Sequence, residues 1–456
     1  MTNTADVVIL GGGPGGYAAA IRSAQLGQSV ILIDEAQVGG TCLHRGCIPT
    51  KALLHAAEVA DNARTAAQFG VNATFEGVDP EKLHSFKNTV VSRLYKGLSG
   101  LIEGLGITVV NGRGRLSGPT TVDVDGTTIT GRTIVLATGS APKVPGVIST
   151  SDRVLTSDQA LELDTIPETA IILGGGVIGV EFASLWASFG TKVTIVEALP
   201  RLVPNEDAAI STYLERLFRR RRITAKTGAR VTAVTSDADA VQVTLESGDV
   251  LSADVLLVAV GRAPRTADLG LAENGVTVEG GFVVTDESLR TSVPSVYAIG
   301  DIVGGLQLAH RAFQHGIFVA ERIAGREAEL VADAGIPRVT YCHPEIASVG
   351  LTEEAAREQY GDGVETVTYD LAGNGRSQIL KASGAVKLVV DPAGAVVGVH
   401  MIGAGVSELI GEAQLLYNLG VKAAEAARFV HAHPTQNEAL GEALMAVSGA
   451  PLHLHG

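Results

Sequence analysis

The sequence predicts an α/β chain with two Rossmann-like dinucleotide-binding domains and a C-terminal α+β domain. First, a strand, glycine loop, helix and strand unit occurs twice. An acidic residue follows the first glycine by 23 residues in both copies, Gly11 to Asp34 and Gly174 to Glu197. Second, 46% of the residues are hydrophobic, 55 are glycine and 4% are aromatic, which is typical of parallel sheets. Third, 456 residues exceed what one hydrophobic core supports and favour roughly three domains.

Charge and hydrophobicity exclude several classes of partner. The formal net charge of -14 argues against a surface for nucleic acid or anionic lipid. We interpret the basic cluster at residues 219–222 as a solvated helix end. The first six residues have no secretory pattern, and the uncharged run at residues 169–180 is too short to cross a bilayer. We therefore expect a cytoplasmic chain with no nucleic-acid or membrane partner.

The first repeated unit has the order of a dinucleotide-binding motif. Strands are predicted over residues 7–10 and 30–33, with a helix between them that starts near Tyr17. Glycines permit a tight turn, close approach of the backbone to a pyrophosphate and close helix packing. Asp34 ends the second strand and can accept hydrogen bonds from ribose hydroxyls. The glycines in question are Gly11, Gly13 and Gly16.

The second unit repeats this plan. Its strands are predicted over residues 170–173 and 192–196 and its helix over residues 180–189, with Glu197 as the acid. Two copies with identical spacing make coincidental glycine clustering an unlikely source of the pattern. The glycines are Gly174, Gly176 and Gly179.

Each unit also has a later strand that runs into a Gly-x-Ala-Pro sequence. The first is residues 133–137 before Gly139-Ser-Ala-Pro, and the second is residues 255–260 before Gly261-Arg-Ala-Pro. Two unrelated Gly-Pro loops remain an alternative, although they would not explain the paired order.

A cysteine pair lies between the first repeated unit, whose glycine loop and acid we call a fingerprint, and the strand predicted over residues 133–137. Four residues separate Cys42 from Cys47, and Pro49 suits the first turn of a helix predicted over residues 51–67. A helix start is expected to lower the pKa of a nearby cysteine. Spacing alone leaves a structural disulfide, two buried thiols and a redox pair open, but a close pair in a reducing cytosol favours catalysis. Cys342 has no partner in sequence and is expected to be a buried thiol.

The last third of the chain contributes two further candidate sites. A strand predicted over residues 296–299 runs into Asp301, which could bind a ribityl or ribose hydroxyl or cap a helix. Helices are predicted over residues 94–106, 312–324, 407–419 and 423–430. Glu438 follows His433 by five residues, so a carboxylate could hold the imidazole, although a surface turn is the commoner origin of such a pattern. No metal site is predicted, because His453 and His455 have no acidic or cysteine partner in sequence.

The sequence resembles the flavin-dependent pyridine nucleotide disulfide oxidoreductases over essentially its whole length. The resemblance rests on residues 39–51 with both cysteines, on the two fingerprints, on Gly300-Asp301 and on residues 431–435. It implies a homodimer with FAD in the first repeat and NAD in the second. It also implies four domains: 1–147 binding FAD and carrying the cysteine pair, 148–270 binding NAD, 271–338 completing the FAD site, and 339–456 forming the dimer interface.

The resemblance also implies roles for single residues. Cys47 would react with the flavin and Cys42 with substrate, while Lys51 would lie near the flavin and pair with Glu181. His433, oriented by Glu438, would be the base and would come from the other subunit. The implied FAD positions are Gly11, Gly13, Gly16, Asp34, Thr41, Lys51, Gly114, Thr138, Gly139, Ser140, Asp301, Leu308, Ala309 and His310. The implied NAD positions are Gly174, Gly176, Gly179, Glu181, Glu197, Val231 and Gly261.

Within the family, the chain is most similar to members that oxidise protein-bound dihydrolipoamide. The implied partners are lipoyl domains and the acyltransferase core of 2-oxoacid dehydrogenase complexes, or a glycine cleavage system. Glu197 favours a ribose 2′-hydroxyl and argues against NADPH-dependent glutathione reductases. The C-terminal cysteine pair of mercuric reductases is absent, and transhydrogenases lack the redox pair. His44-Arg45 departs from the usual Asn-Val. Another FAD-dependent disulfide reductase, or a redox sensor without lipoamide turnover, remains the alternative.

Overall fold

The computed structural model describes residues 3–453 of the chain. These residues form two compact units. The first unit comprises the residues up to Leu53, Glu81–Lys143 and Gly261–Asp333, and the second comprises Leu54–Pro80, Val144–Val260 and the residues from Ala334 onward. This division does not test the four expected domain boundaries, which stay a prediction.

Helices and strands are named in chain order over the described residues. The α-helices are α1 (Pro14–Gln25), α2 (Gly40–Arg45), α3 (Cys47–Thr65), α4 (Pro80–Gly104), α5 (Ser157–Ala160), α6 (Val177–Phe189), α7 (Ala208–Arg220), α8 (Ala309–Ile323), α9 (Glu353–Tyr360), α10 (Gly375–Leu380), α11 (Val406–Asn418), α12 (Ala423–Ala426) and α13 (Glu438–Val447). The first strands are β1 (Thr4–Leu10), β2 (Val30–Asp34), β3 (Thr108–Asn111), β4 (Gly114–Gly118), β5 (Thr121–Val124), β6 (Thr127–Leu136), β7 (Ser140–Pro142), β8 (Val154–Thr156), β9 (Thr169–Leu173), β10 (Lys192–Val196), β11 (Thr224–Lys226) and β12 (Val231–Ser236). The remaining strands are β13 (Val241–Leu245), β14 (Val250–Ala253), β15 (Val255–Val258), β16 (Arg262–Pro264), β17 (Val278–Glu279), β18 (Phe282–Val283), β19 (Val296–Ala298), β20 (Arg338–Thr340), β21 (Glu345–Gly350), β22 (Glu365–Asp370), β23 (Ala385–Val390) and β24 (Val396–Gly403).

The first unit is built on a seven-stranded sheet in the order β3-β2-β1-β6-β5-β4, with β19 also paired to β6. β1 lies between β2 and β6 and is parallel to both. Val7 and Ile9 pack into one apolar cluster, while Val8 and Leu10 pack into the cluster on the other face. Both faces are therefore covered, which explains why this strand is continuously apolar instead of alternating.

Glycines let helices α1 and α8 of the first unit pack closely against each other. A Cβ at Gly316 would lie 2.8 Å from the backbone nitrogen of Ala19 and would also overlap the carbonyl oxygen of Gly15. A Cβ at Gly15 would press on Ile299 at 3.2 Å. These two helices therefore meet at backbone contact distance, which requires glycine at the crossing.

The second unit repeats the parallel arrangement in the order β11-β10-β9-β15-β8. The three-stranded antiparallel sheet β12-β13-β14 covers one face through Val241, Val243 and Leu245. On α6, residues from Val180 to Trp186 are all buried, so this helix is covered around its whole circumference, and its polar members Glu181 and Ser184 are buried with the apolar ones.

A five-stranded sheet in the order β20-β21-β24-β23-β22 forms the C-terminal part of the second unit, and all its pairs are antiparallel. Its core contains residues from β21 to β24 together with residues from α11, α12 and α13. The predicted α+β domain is therefore confirmed in class.

The strand and helix predictions around both glycine loops are confirmed, while two helix predictions elsewhere need correction and one helix was not predicted. The helix predicted over residues 94–106 begins much earlier, at Pro80. The helix predicted over residues 423–430 ends at Ala426, and Phe429 and Val430 are exposed. Helix α13 was not predicted. Among residues 3–453, no helix combines the length and the apolar character that a membrane span needs.

Interpretation of residues 219–222 as a solvated helix end is wrong for Arg221. Its side chain is only 18% exposed. Its guanidinium donates to Asp61 at 2.7 Å, to Ser188 at 2.6 Å and to Ser184 at 2.8 Å. The planar donor fork holds α6 and α7 to the end of α3, which is a structural role that a run of basic letters does not reveal.

Gly316→Ala should destabilise the first unit by about 1–3 kcal/mol, because the added methyl group forces α8 away from α1. Gly100→Ala is the matched control, since a Cβ at Gly100 meets nothing within 4 Å. In α4 that change should be neutral or stabilising by up to about 1 kcal/mol. Thermal unfolding of both variants measures the difference, and equal melting temperatures would contradict the close packing.

Candidate functional site

The glycine loop of the first unit leaves the start of α1 open to a ligand. Gly11 has φ of 108°, and a Cβ there would overlap the carbonyl oxygen of Ala137. A Cβ at Gly16 would overlap the carbonyl oxygen of Gly11. Gly13 precedes the helix, and no described side chain caps it. The first amides of α1 are thus left for an anionic group such as a pyrophosphate.

Asp34 is oriented by this loop. Its carboxylate accepts hydrogen bonds from the backbone amides of Gly12 and, at 2.7 Å, of Ala36. The carboxylate consequently stands at the carboxyl end of β2 beside the glycine loop, where the predicted ribose contact requires it.

The second unit reproduces the same device. Gly174 has φ of 107°, and a Cβ there would overlap the carbonyl oxygen of Ala259, just as a Cβ at Gly179 would overlap that of Gly174. Gly176 begins α6 without a described side-chain cap. Glu197 accepts from the amide of Gly175 at 2.6 Å, as Asp34 accepts from Gly12. Each unit therefore has a helix start without a described side-chain cap beside a buried or half-buried carboxylate.

The two Gly-x-Ala-Pro sequences pair with each other. Strands β7 and β16 are antiparallel, and Thr138 Oγ1 donates to the carbonyl of Arg265 at 2.7 Å. Arg262 donates through Nε to Ser140 Oγ at 2.7 Å and through Nη2 to Ser140 O at 2.8 Å. Ser140 Oγ in turn donates to Asp301 Oδ2 at 2.5 Å. Arg262 was not predicted as a site residue, although it occupies the second position of its Gly-x-Ala-Pro sequence, as Ser140 does in the other.

Asp301 lies in a short 3₁₀ turn, Gly300–Ile302, directly after β19. It does not cap α8, whose N-cap position is Leu308. The helix-cap alternative is therefore wrong. His315 Nδ1 accepts from the amide of Gly300 at 3.4 Å, and burial lowers the pKa of His315 to about 4, so the imidazole stays neutral and able to accept.

The cysteine pair is held between two helices. Cys42 lies within α2, and Cys47 is the first residue of α3. Gly46 separates the two helices with a non-helical backbone, φ of −148° and ψ of −112°. The two side chains are joined by a hydrogen bond. This arrangement brings both sulfur atoms together at a helix start, as spacing suggested.

The expected fall in the cysteine pKa is wrong for Cys42. The hydrogen bond with Cys47 and then burial raise the pKa of Cys42, and the Asp301 carboxylate acts in the same direction. The Lys51 ammonium opposes them; it acts more strongly than Asp301 but less strongly than the hydrogen bond and burial. The helix start alone does not decide the protonation of a thiol that is half-buried beside a second one.

Two other side chains frame the pair. Burial, and then Cys42 and Cys47, raise the pKa of Tyr17 to about 12. No sequence signal marked Tyr17 beyond its place after the fingerprint. His44 Nε2 lies 2.9 Å from Val38 O, and its ring meets that of Tyr95 edge-on, so the departure at His44 anchors the loop.

The remaining predicted FAD positions lie in the first unit. Thr41 is in α2, and Gly114 begins β4 against Leu10. Gly139 has φ of 71° at the end of β6. Leu308 precedes α8, and Ala309 and His310 form its first turn.

The predicted NAD positions are less uniformly placed. Glu181 is buried in α6 and accepts from the amide of Tyr341 at 2.9 Å, and its pairing with Lys51 stays a prediction. Gly261, with φ of 112°, follows β15. Val231 begins β12, in the antiparallel sheet and not in the parallel sheet that carries the fingerprint.

His433 and Glu438 are in direct contact in the second unit. His433 Nδ1 lies 2.8 Å from Glu438 Oε1, while Glu438 Oε2 accepts from the amide of Thr435 at 2.7 Å. Burial opposes the change, but the hydrogen bonds from Thr435 and His433 lower the pKa of Glu438. The His433 side chain is 77% exposed. Its Nε2 side is thus presented to the surface as a proton acceptor, with the ring orientation fixed by a carboxylate.

Two smaller predictions can be settled here. Cys342 is confirmed as a buried thiol; it donates to Pro344 O at 3.1 Å. The expectation that the tail histidines lack acidic partners is wrong for His453, whose Nδ1 lies 2.7 Å from Glu442 Oε1. His455 lies outside the described residues.

Comparison with known proteins places these features in context. Residues 5–316 match the family described as pyridine nucleotide-disulphide oxidoreductase, and residues 336–444 match its dimerisation domain. The chain is 39% identical to a dihydrolipoyl dehydrogenase of Bacillus subtilis (strain 168), over 99% of the chain and 100% of that protein. The crystal structure of LpdA from Mycobacterium tuberculosis is similar with a TM-score of 0.90 at 26% identity, covering 98% of this chain and 100% of LpdA. The Cu(II) complex of the HOCl-induced flavoprotein disulfide reductase RclA from Escherichia coli has a TM-score of 0.88 at 30% identity, covering 98% and 100%.

Lys51→Met should shift alkylation of Cys42 in the reduced protein to higher pH. The change removes the one positive charge that lowers the pKa of Cys42. Rates of iodoacetamide modification, followed by mass spectrometry of the Cys42 peptide across pH, measure the shift. Lys96→Met on the exposed surface of α4 is the control, and a Lys51 profile that is unchanged or shifted to lower pH would contradict the assignment.

Proposed function

The chain belongs to the pyridine nucleotide-disulphide oxidoreductase family, and from this premise we propose that it acts as a dihydrolipoyl dehydrogenase. It is a flavoprotein enzyme that uses FAD and NAD. The reaction oxidises protein-bound dihydrolipoamide to lipoamide and reduces NAD+ to NADH. The observation that carries the proposal is the hydrogen-bonded Cys42 and Cys47 pair, within the electrostatic range of Lys51 and Asp301.

Both nucleotide sites fit their cofactors. A Cβ at Gly11 or Gly174 would clash with a backbone carbonyl oxygen, so only glycine allows the tight loop at each site. The starts of α1 and α6 offer their amides to a pyrophosphate. Asp34 and Glu197 supply the ribose contacts. Glu197 would repel a 2′-phosphate, which supports NAD over NADP as the second nucleotide. FAD, when bound, supplies two-electron transfer between the cysteines and NAD+.

The chain's own residues carry out the dithiol exchange. In the oxidised enzyme Cys42 and Cys47 form a disulfide, and a substrate thiolate attacks the Cys42 sulfur and releases Cys47 as a thiolate. The second substrate thiol then loses its proton and attacks the substrate sulfur of the mixed disulfide, which closes the lipoamide ring and releases Cys42 as a thiolate that takes up a proton. The electron pair now lies on the cysteines, and Lys51 stabilises negative charge beside them.

We assign the proton transfer to His433. A substrate thiol must lose its proton before it can attack the disulfide, so a base is required. Neutral His433 takes a proton from the substrate thiol, and Glu438 stabilises the resulting imidazolium. Each active site would use His433 of the partner subunit in a homodimer. The exposed Phe429 and Val430 nearby support a surface that a second copy covers.

The dimer would serve a larger assembly. Lipoyl domains and the acyltransferase core of a 2-oxoacid dehydrogenase complex, or a glycine cleavage system, are the partners we propose. A second candidate is a disulfide reductase with another substrate, which is favoured by the similarity to RclA. Turnover with lipoamide distinguishes the two candidates.

The purified, FAD-loaded protein should reduce lipoamide with NADH, and Cys47→Ser should abolish this turnover while keeping bound FAD. The serine hydroxyl cannot form the disulfide that accepts the electron pair. Turnover is followed as NADH absorbance and FAD as flavin absorbance. Cys342→Ser, outside the pair, should retain activity. If the FAD-loaded wild-type protein shows no turnover, the proposed function is wrong. If the Cys47→Ser protein is active, the proposed exchange through Cys42 and Cys47 is wrong.

His433→Ala should slow dithiol oxidation by about 10²–10⁴-fold, because general base catalysis contributes that much. Reduction of a dye acceptor by NADH should change little, since it requires no substrate thiol. The two half-reactions are measured by stopped-flow flavin absorbance. His55→Ala, at an exposed position, is the control, and equal losses in both half-reactions would argue against the base role.

A further inference from the structure

Asp301 is connected to a cation that no part of the proposed mechanism has used. Ser140 Oγ donates to Asp301 Oδ2 at 2.5 Å, and Ser140 Oγ also accepts from Arg262 Nε at 2.7 Å. Arg262 Nη2 also donates to the Ser140 carbonyl at 2.8 Å. Ser140 is buried, with 4% of its surface exposed. The hydroxyl is therefore fixed in direction, because the guanidinium takes its acceptor site and leaves its proton for the carboxylate.

The backbone of the two short strands prepares this contact. In the register of β7 and β16, Arg262 lies opposite Pro142 and Pro264 lies opposite Ser140. The amide of Lys143 donates to Gly261 O at 3.0 Å at one end of the pair. The Arg262 side chain thus reaches two residues along β7, from the level of Pro142 to Ser140, and the pairing of the two strands holds its donor fork in place.

We propose that Arg262 is a positioning residue for the flavin site, which holds Asp301 through Ser140 in the orientation that binds the ribityl chain of FAD. The carboxylate has two oxygens, and Ser140 occupies Oδ2. Oδ1 is then directed by the same hydrogen bond and is the oxygen assigned to the cofactor hydroxyls. A two-point hold by arginine on the serine resists rotation better than a single hydrogen bond.

The hydrogen-bonded chain from Arg262 through Ser140 to Asp301, which we call the relay, also affects the redox pair, because the Asp301 charge acts on Cys42. A carboxylate that rotated away would change the field at the sulfur as well as the contact with FAD. The proposal rests on FAD binding in the first unit and does not depend on lipoamide as the substrate.

A double-mutant cycle on FAD affinity tests the relay. FAD is titrated into deflavinated protein, and the dissociation constant is measured by flavin fluorescence for wild type, Ser140→Ala, Arg262→Met and the double variant. Each single change should raise the dissociation constant about tenfold, the typical effect of losing a charge-assisted hydrogen bond. The double variant should be little worse than either single one, because both changes break the same chain. Arg262→Lys should fall between wild type and Arg262→Met, since lysine provides a charge without the fork.

Arg115→Met is the matched control, because Arg115 pairs with Glu273 at an exposed position. It should bind FAD like wild type. Wild-type affinity in Arg262→Met, or losses that multiply in the double variant, would overturn the relay. If Arg262→Met does not fold, Ser140→Ala and Arg262→Lys decide, and wild-type affinity in both would overturn it. A wild-type protein that binds no FAD would instead contradict the flavoprotein assignment, so the two failures are distinguishable.

Discussion

The lack of a side chain at Gly16 and Gly179 is the constraint on which both proposed nucleotide sites depend. A Cβ at either position would overlap the carbonyl oxygen of the first glycine in its own loop. Strand, loop and helix therefore meet at backbone distance, and the first amides of the helix stand at the end of the strand. The acidic residue of the next strand then reaches back to a loop amide in the same way in each unit. The positions of the helix amides and of the acidic residue therefore follow from a close backbone packing that only glycine permits.

Local sequence was sufficient for the parts of the structure that depend on local rules. The fingerprints, their acids and the strand-to-glycine turns follow from spacing along the chain. Contacts between distant segments were not predictable, because no periodicity encodes them. Arg221 was taken for a solvated cation, yet it is buried by residues more than 30 positions away, Asp61 and Ser184. Arg262 was passed over for the same reason, since its partners are Ser140 and, through it, Asp301.

Electrostatics around Cys42 divides the chemical work among separate elements. A neighbouring thiol, burial and Asp301 favour the protonated sulfur, and Lys51 alone opposes them. In the reduced pair these influences keep the proton on Cys42. His433, the base that we propose, is exposed and is held by Glu438. Its partners are not those that act on Cys42, so under this proposal the base and the redox pair can be tuned independently.

The pairing of β7 with β16 makes the two Gly-x-Ala-Pro sequences unequal partners. Ser140 and Arg262 occupy the same place in the two sequences and are bonded to each other. The guanidinium can only donate, whereas the hydroxyl accepts from it and donates its own proton to Asp301. An arginine on both sides would place two positive charges together and leave neither with an acceptor, so the two sequences are not interchangeable at this contact.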